Sequence, residues 1–181
     1  MSIVDEIRAM LPRYESFRDT FAAWDSGSIS EETLDTALWM LTCRLVGSDE
    51  QAAQIPDPVL NYYASRLMEW EVGNGGFAQA AYNISDWFER AAQGYDAIGH
   101  SSAALRIREA GVMARKDRGV FGRLRRVGAD IGSIFAAFNA SSLDGLASDL
   151  DDIGWWAMPD RLKYVLRNRE SFLSVDRNAL Q

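Results

Sequence analysis

The chain has 181 residues, 48% hydrophobic and 25% charged, which is the composition of a folded globular protein rather than a disordered one. That length fits one domain whose core needs no disulfide or metal staple. The single cysteine excludes an internal disulfide framework and suits a reducing compartment. The acidic start, MSIVDEIRAML, does not read as a signal peptide. No stretch approaches the roughly 20 uninterrupted apolar residues that a bilayer span needs. A cytoplasmic location is therefore expected.

The net charge of −7 is unevenly spread: residues 1–100 hold 16 acids against 6 bases, and residues 101–126 hold 8 bases against 2 acids. An acidic body with one basic segment points to a charged partner or an internal docking surface.

Helical periodicity runs the length of the chain. Pro12 can open a helix that places Tyr14, Phe17, Phe21 and Trp24 on one side, and Asp25 to Ser28 ends it. Ser28 with Glu31, or Ser30 alone, can cap the next helix, whose stripe is Leu34, Leu38, Leu41 and Leu45. Asp57-Pro58 is a start signal for a helix carrying Leu60, Tyr63, Leu67 and Trp70. Gly73-Asn74-Gly75-Gly76 interrupts it before a short helical stretch from Phe77 to Tyr82. The next helix shows Trp87, Phe88, Ala91, Tyr95 and Ile98, and Gly99 closes it. Further helices are expected over about 102–115, 129–138, 143–153 and 159–172, while the basic stretch 117–128 is not assigned. No strand pattern, repeat or low-complexity tract competes with this. The expectation is an all-α fold, a single compact domain of about eight or nine short helices. Residues 1–55 would form its N-terminal helices, 56–172 its core and 173–181 a tail.

Few residues offer chemistry. Asn74-Gly75-Gly76-Phe77 lacks the Lys-Ser/Thr of a phosphate-binding loop, so its glycines read as a helix end with close packing. Gln79 and Asn83, four apart, can face one way; bonding the preceding loop is favoured over holding a ligand. Neighbouring Glu69 and Glu71 point apart, and in 149–152 only Asp149 and Asp152 can approach each other. A multi-histidine zinc site is excluded by count, since His100 is the only histidine. His100 reads as an exposed turn residue, although it is an acid–base candidate in principle. Cys43, between Leu41 and Leu45, reads as core packing rather than a nucleophile. The six tryptophans mostly read as core; of Trp155 and Trp156, one is expected to be an interface anchor. No metal or cofactor is implied.

Two charged groups stand out. Asp86, Glu89 and Asp96 share a helix face and Glu31 pairs with Asp35, a pattern that can imitate phosphates. Half of that acidity belongs to first helical turns, where the dipole favours anions anyway. Arg115, Lys116, Arg118, Arg123, Arg125 and Arg126, interleaved with Val120, Phe121, Leu124 and Val127, form a basic patch. It could meet nucleic acid, an anionic membrane, a second subunit or the protein's own acidic body. Overall acidity argues against nucleic acid.

Asn74, Gly75, Gly76, Phe77, Gln79 and Asn83, followed by Ile98-Gly99, Leu150-Asp151-Asp152, and Asn168, Glu170 and Phe172, carry a resemblance over roughly 56–172. The chain resembles a bacterial domain-of-unknown-function family with an N-G-G-F-x-Q-x-x-x-N core that includes a DNA-mimic protein. The resemblance implies an all-α protein and allows a homodimer. In the mimic, surface carboxylates occupy the DNA-binding face of a transcriptional regulator. The leading expectation is a non-enzymatic binding protein whose acidic face (Glu31, Asp35, Asp86, Glu89, Asp96) engages a DNA-binding protein, with no direct nucleic acid or membrane contact. One alternative is an assembly protein using Trp155, Trp156 and the basic segment. Another is an enzyme with a pocket near Asn74, Gln79, Asn83 and His100.

Overall fold

The computed structural model describes residues 15–46, 54–147, 150–151 and 154–178, leaving aside the side chains of 144 and 176–178. The expectations for Pro12, Tyr14, Asp149 and Asp152 lie outside the described residues. All regular structure among the described residues is helical: α1 Phe17–Asp25, α2 Glu31–Leu45, α3 Asp57–Ile84, α4 Phe88–Ala97, α5 Ser101–Val127, α6 Ile131–Asn139, α7 Met158–Arg167 and α8 Arg169–Asn178. Short 3-10 turns lie at Ser85–Trp87 and Asp144–Ala147. Among the described residues no helix is long and apolar enough to cross a membrane.

The chain divides into two compact units, Met1–Tyr63 with Met158–Gln181, and Ala64–Ala157. In the first, Ser16 and Ser30 cap α1 and α2, each side chain accepting from the backbone N–H three residues on. Their apolar stripes, with Val59, Tyr62, Leu162, Val165 and Val175, enclose Phe172. Phe17, Phe21 and Tyr62 meet the Phe172 ring edge-on at 5.5, 6.3 and 6.0 Å between centroids. Asp35 is 4% exposed, so it does not belong to an acidic surface as its pairing with Glu31 suggested. The Tyr62 hydroxyl donates to the Asp35 carbonyl and carboxylate at 2.8 and 3.0 Å, and Arg161 Nε lies 3.9 Å from the same carboxylate. A buried charge is tolerated only with such partners.

Cys43 is exposed rather than part of the core. The buried stripe of α2 is Leu34, Ala37, Leu38 and Leu41, and position 43 falls on the far side of that helix. Burial, helped by the nearby Cys43 sulfur, pushes the Tyr63 phenol up to about 12, where its ring stacks on Trp39 at 5.4 Å.

The second unit is built on α4 packed along α5. Gly111 brings the helices together: a Cβ there would lie 3.0 Å from Phe88 Cβ. The unassigned basic stretch continues α5 as helix to Val127. Phe121 explains this, because it is 1% exposed and meets Tyr82 and Phe138 edge-on at 6.1 and 5.8 Å. Tertiary burial offsets the cost of Gly119 and Gly122 within the helix. Gly128, with φ +60°, ends it.

The apolar face of α3 is shifted from the expected one. Val59, Tyr62, Met68 and Val72 are buried, whereas Leu60, Tyr63 and Leu67 are half-buried and Trp70 is 54% exposed. Apolar residues occur on both sides of this helix, so its periodicity alone does not select the buried one.

Candidate functional site

As the sequence leads one to expect, the glycine run ends one helical segment of α3 before the next begins, with the break at two residues. Gly75 is extended (φ −171°), and Gly76 takes φ +71° with ψ −174°, a backbone region essentially closed to other residues. Across that break Glu71 Oε2 accepts both the Asn83 amide at 2.7 Å and the Gln79 amide at 3.2 Å. The Asn74 amide donates back to the Trp70 carbonyl at 2.9 Å. Gly75 leaves room for this clamp, since a Cβ there would meet Gln79 Oε1 at 2.3 Å. Phe77 opens the second segment, is fully buried and meets Trp155 edge-on at 5.5 Å. Gln79 and Asn83 thus bond the helix turn before the break. Glu71, which the sequence offered only as a carboxylate pointing away from Glu69, is the acceptor that joins them. Glu69 itself is buried, and its Oε2 accepts the Ala157 N–H at 3.2 Å.

A cleft of about 280 Å³ opens beside the break, lined by Val72, Gly73, Gly76, Leu150, Trp155 and Trp156 among others. Gly73 is where the chain passes the Trp156 ring, because a Cβ there would sit 3.2 Å from it. The two tryptophans differ sharply. Trp155 is buried, stacked on Tyr95 at 5.1 Å, and its carbonyl accepts the Tyr95 hydroxyl at 3.0 Å. Trp156 is 58% exposed, and its indole N–H donates to Asp151 at 2.7 Å. Of the two, Trp155 is core and Trp156 is the exposed ring. His100 is half-buried rather than exposed, and its Nδ1 donates to the Gly154 carbonyl at 2.6 Å. Asn74, Gln79, Asn83 and His100 therefore direct these hydrogen bonds at the chain itself. Among the described residues no group of three His, Cys, Asp or Glu side chains could hold a metal ion.

The charged residues converge elsewhere in the same unit. Asp86, Glu89 and Asp96 are exposed along the 3-10 turn and α4. Arginines of α5 meet them: Arg118 to Asp86 at 2.6 Å, and Arg108 to Asp96 at 2.7 Å and to Glu89 at 3.6 Å. The Asp96 carboxylate beside it raises the Arg108 guanidinium further above its ordinary range. One cavity of about 230 Å³ lies between these walls, lined by Asp86, Glu89, Arg115 and Arg118 with Phe88 and Gly111. The basic segment docks in part on the protein's own acids, one of the options its sequence left open. No spacing rule could reveal the Asp86–Arg118 pair, 32 residues apart. Arg115, Lys116, Arg123, Arg125 and Arg126 are exposed, with the Arg125 guanidinium 5.7 Å over the Tyr82 ring. Glu31 is exposed in the first turn of α2, in the first compact unit.

Helices throughout, a clamped break in α3 and charged helix faces define an all-α protein with a built surface. The chain belongs to the DMP19-like protein family, whose model matches residues 53–169. No curated protein and no solved structure matches it.

Proposed function

We propose that this chain is a non-enzymatic binding protein whose acidic α4 face engages a DNA-binding protein in place of DNA. The observation that carries the reading is the exposed row Asp86, Glu89 and Asp96, held by Arg118 and Arg108. The row extends roughly 15 Å at the rise of a helix. One DNA strand presents about four phosphates over that length. The two arginines fix the carboxylates in place without removing them from water. An exposed ion pair contributes only ~0.2–1 kcal/mol, so guanidinium groups of a basic partner can replace them at small cost. Membership of the DMP19-like family supports the same reading through the resemblance to a DNA mimic.

The test is capture of partners on the tagged protein from lysate of the source cells, with and without excess duplex DNA. Capture of a DNA-binding protein that duplex DNA displaces supports mimicry. A partner indifferent to DNA, or none, contradicts it.

A second reading, an assembly surface centred on Trp156, is favoured by the 58% exposure of that ring beside the cleft. It predicts binding that is insensitive to salt and lost in Trp156→Ala.

A further inference from the structure

The helix α6 is built almost entirely of apolar residues, IGSIFAAFN, yet Phe138 alone of its nine residues is buried. A helix apolar on all sides normally lies inside a protein. Ile131 is 73% exposed and Phe135 54%. Across the turn at Gly128, α5 also carries exposed apolar residues: Val127 is 70% and Val120 51% exposed. Val120, Leu124 and Val127 follow helical spacing and so lie along one side. Exposed Arg123 stands beside that stripe, with Lys116 one turn before Val120 and exposed Arg126 further round the helix on the same side as Arg123. Scattered surface apolar residues need no explanation, but a run of this kind, with basic residues along α5 and Asp130 at the turn, marks an interaction surface.

Charge decides what covers it. The arginines call for carboxylates or phosphates. A second copy presenting the same face brings basic residues and no acidic flank to those arginines, so it matches their charge less well than an acidic partner does. An anionic bilayer is disfavoured by Asp130, which sits between Val127 and Ile131 and caps α6. The Ser133 hydroxyl and N–H hold its carboxyl below the usual range, so it stays ionised. Inserting Ile131 and Phe135 into lipid would carry that charge toward anionic headgroups and acyl chains. A protein helix can place its apolar ridge on Val120, Val127, Ile131 and Phe135 and its acids on the arginines, leaving Asp130 in water.

We infer that the α5–α6 face docks an acidic amphipathic helix of a partner protein, by an apolar ridge flanked by arginines. This surface is independent of the acidic α4 row and stands if that reading fails. The probe is a synthetic amphipathic helical peptide with a leucine stripe flanked by glutamates, followed by fluorescence anisotropy. It should bind, and the same peptide with lysines for glutamates should bind at least about tenfold more weakly. Ile131→Ser with Phe135→Ser should weaken binding about tenfold or more. Arg123→Glu with Arg126→Glu should do the same while leaving the apolar residues, and hence the folding of α6, untouched. Absence of binding, or equal binding of the two peptides, overturns the inference. So does tighter binding to phosphatidylglycerol vesicles or duplex DNA than to the peptide, or a dimer that the serine variant dissolves.

Discussion

Glu71 Oε2 accepts the Asn83 side-chain amide at 2.7 Å across a two-residue break in α3, and Gln79 shares the same oxygen. One carboxylate therefore fixes the angle between two helical segments that the glycines alone would leave loose. Hydrogen bonds to a charged group contribute about 1.5–3 kcal/mol. Glu71→Ala should destabilise the protein by about that amount, read as a lower urea midpoint with an unchanged slope. An unchanged midpoint would show that the clamp holds nothing.

Gly76 has φ +71° and ψ −174°. Gly76→Ala places a side chain in a region that costs of order 1–3 kcal/mol. The loss should appear in thermal unfolding although nothing lies within 4 Å of the added carbon. Gly75→Ala should act differently, displacing Gln79 from Glu71 by direct overlap, so combining it with Gln79→Ala should recover part of the loss.

The helix pattern was legible because apolar spacing, Ser30 as a cap, Asp57-Pro58 and Gly99 each act within a few residues. The glycine break was legible for the same reason. What lay beyond reach depends on partners far apart in the chain. Asp35 sits on the buried side of α2 beside Leu34 and Leu38, but only the fold supplies Arg161 and Tyr62. The acidic row is visible in the spacing of Asp86, Glu89 and Asp96, and its arginine partners are not. Cys43 is a different kind of error: its apolar neighbours suggested burial, whereas its offset of two from Leu41 places it away from the stripe.

The buried Asp35–Arg161 pair gives a sharper stability test. Removing one member of a buried pair costs about 3–5 kcal/mol, since the other charge stays in low dielectric. Asp35→Ala should lose stability on that scale in urea unfolding, whereas Glu31→Ala, exposed on the same helix, should cost less than about 1 kcal/mol.

Tyr63 gives a pH test. Its phenol is raised to about 12 by burial first and by Cys43 second. A raised folded value means the folded state holds the proton more tightly. Its contribution to stability is full below about pH 10, the unfolded value, and is lost as pH rises toward 12. Absorbance at the tyrosinate band should show a late-titrating phenol that disappears in Tyr63→Phe.

The most direct test of the central claim is the affinity of a DNA-binding partner for the Asp86→Lys/Glu89→Lys variant, measured at low and moderate salt. If the α4 row is the docking face, wild-type binding weakens with salt and the variant loses about tenfold or more. Arg118→Gln, which unmasks Asp86, should bind more tightly than wild type. Unchanged affinity in the Asp86→Lys/Glu89→Lys variant would contradict the assignment of this face.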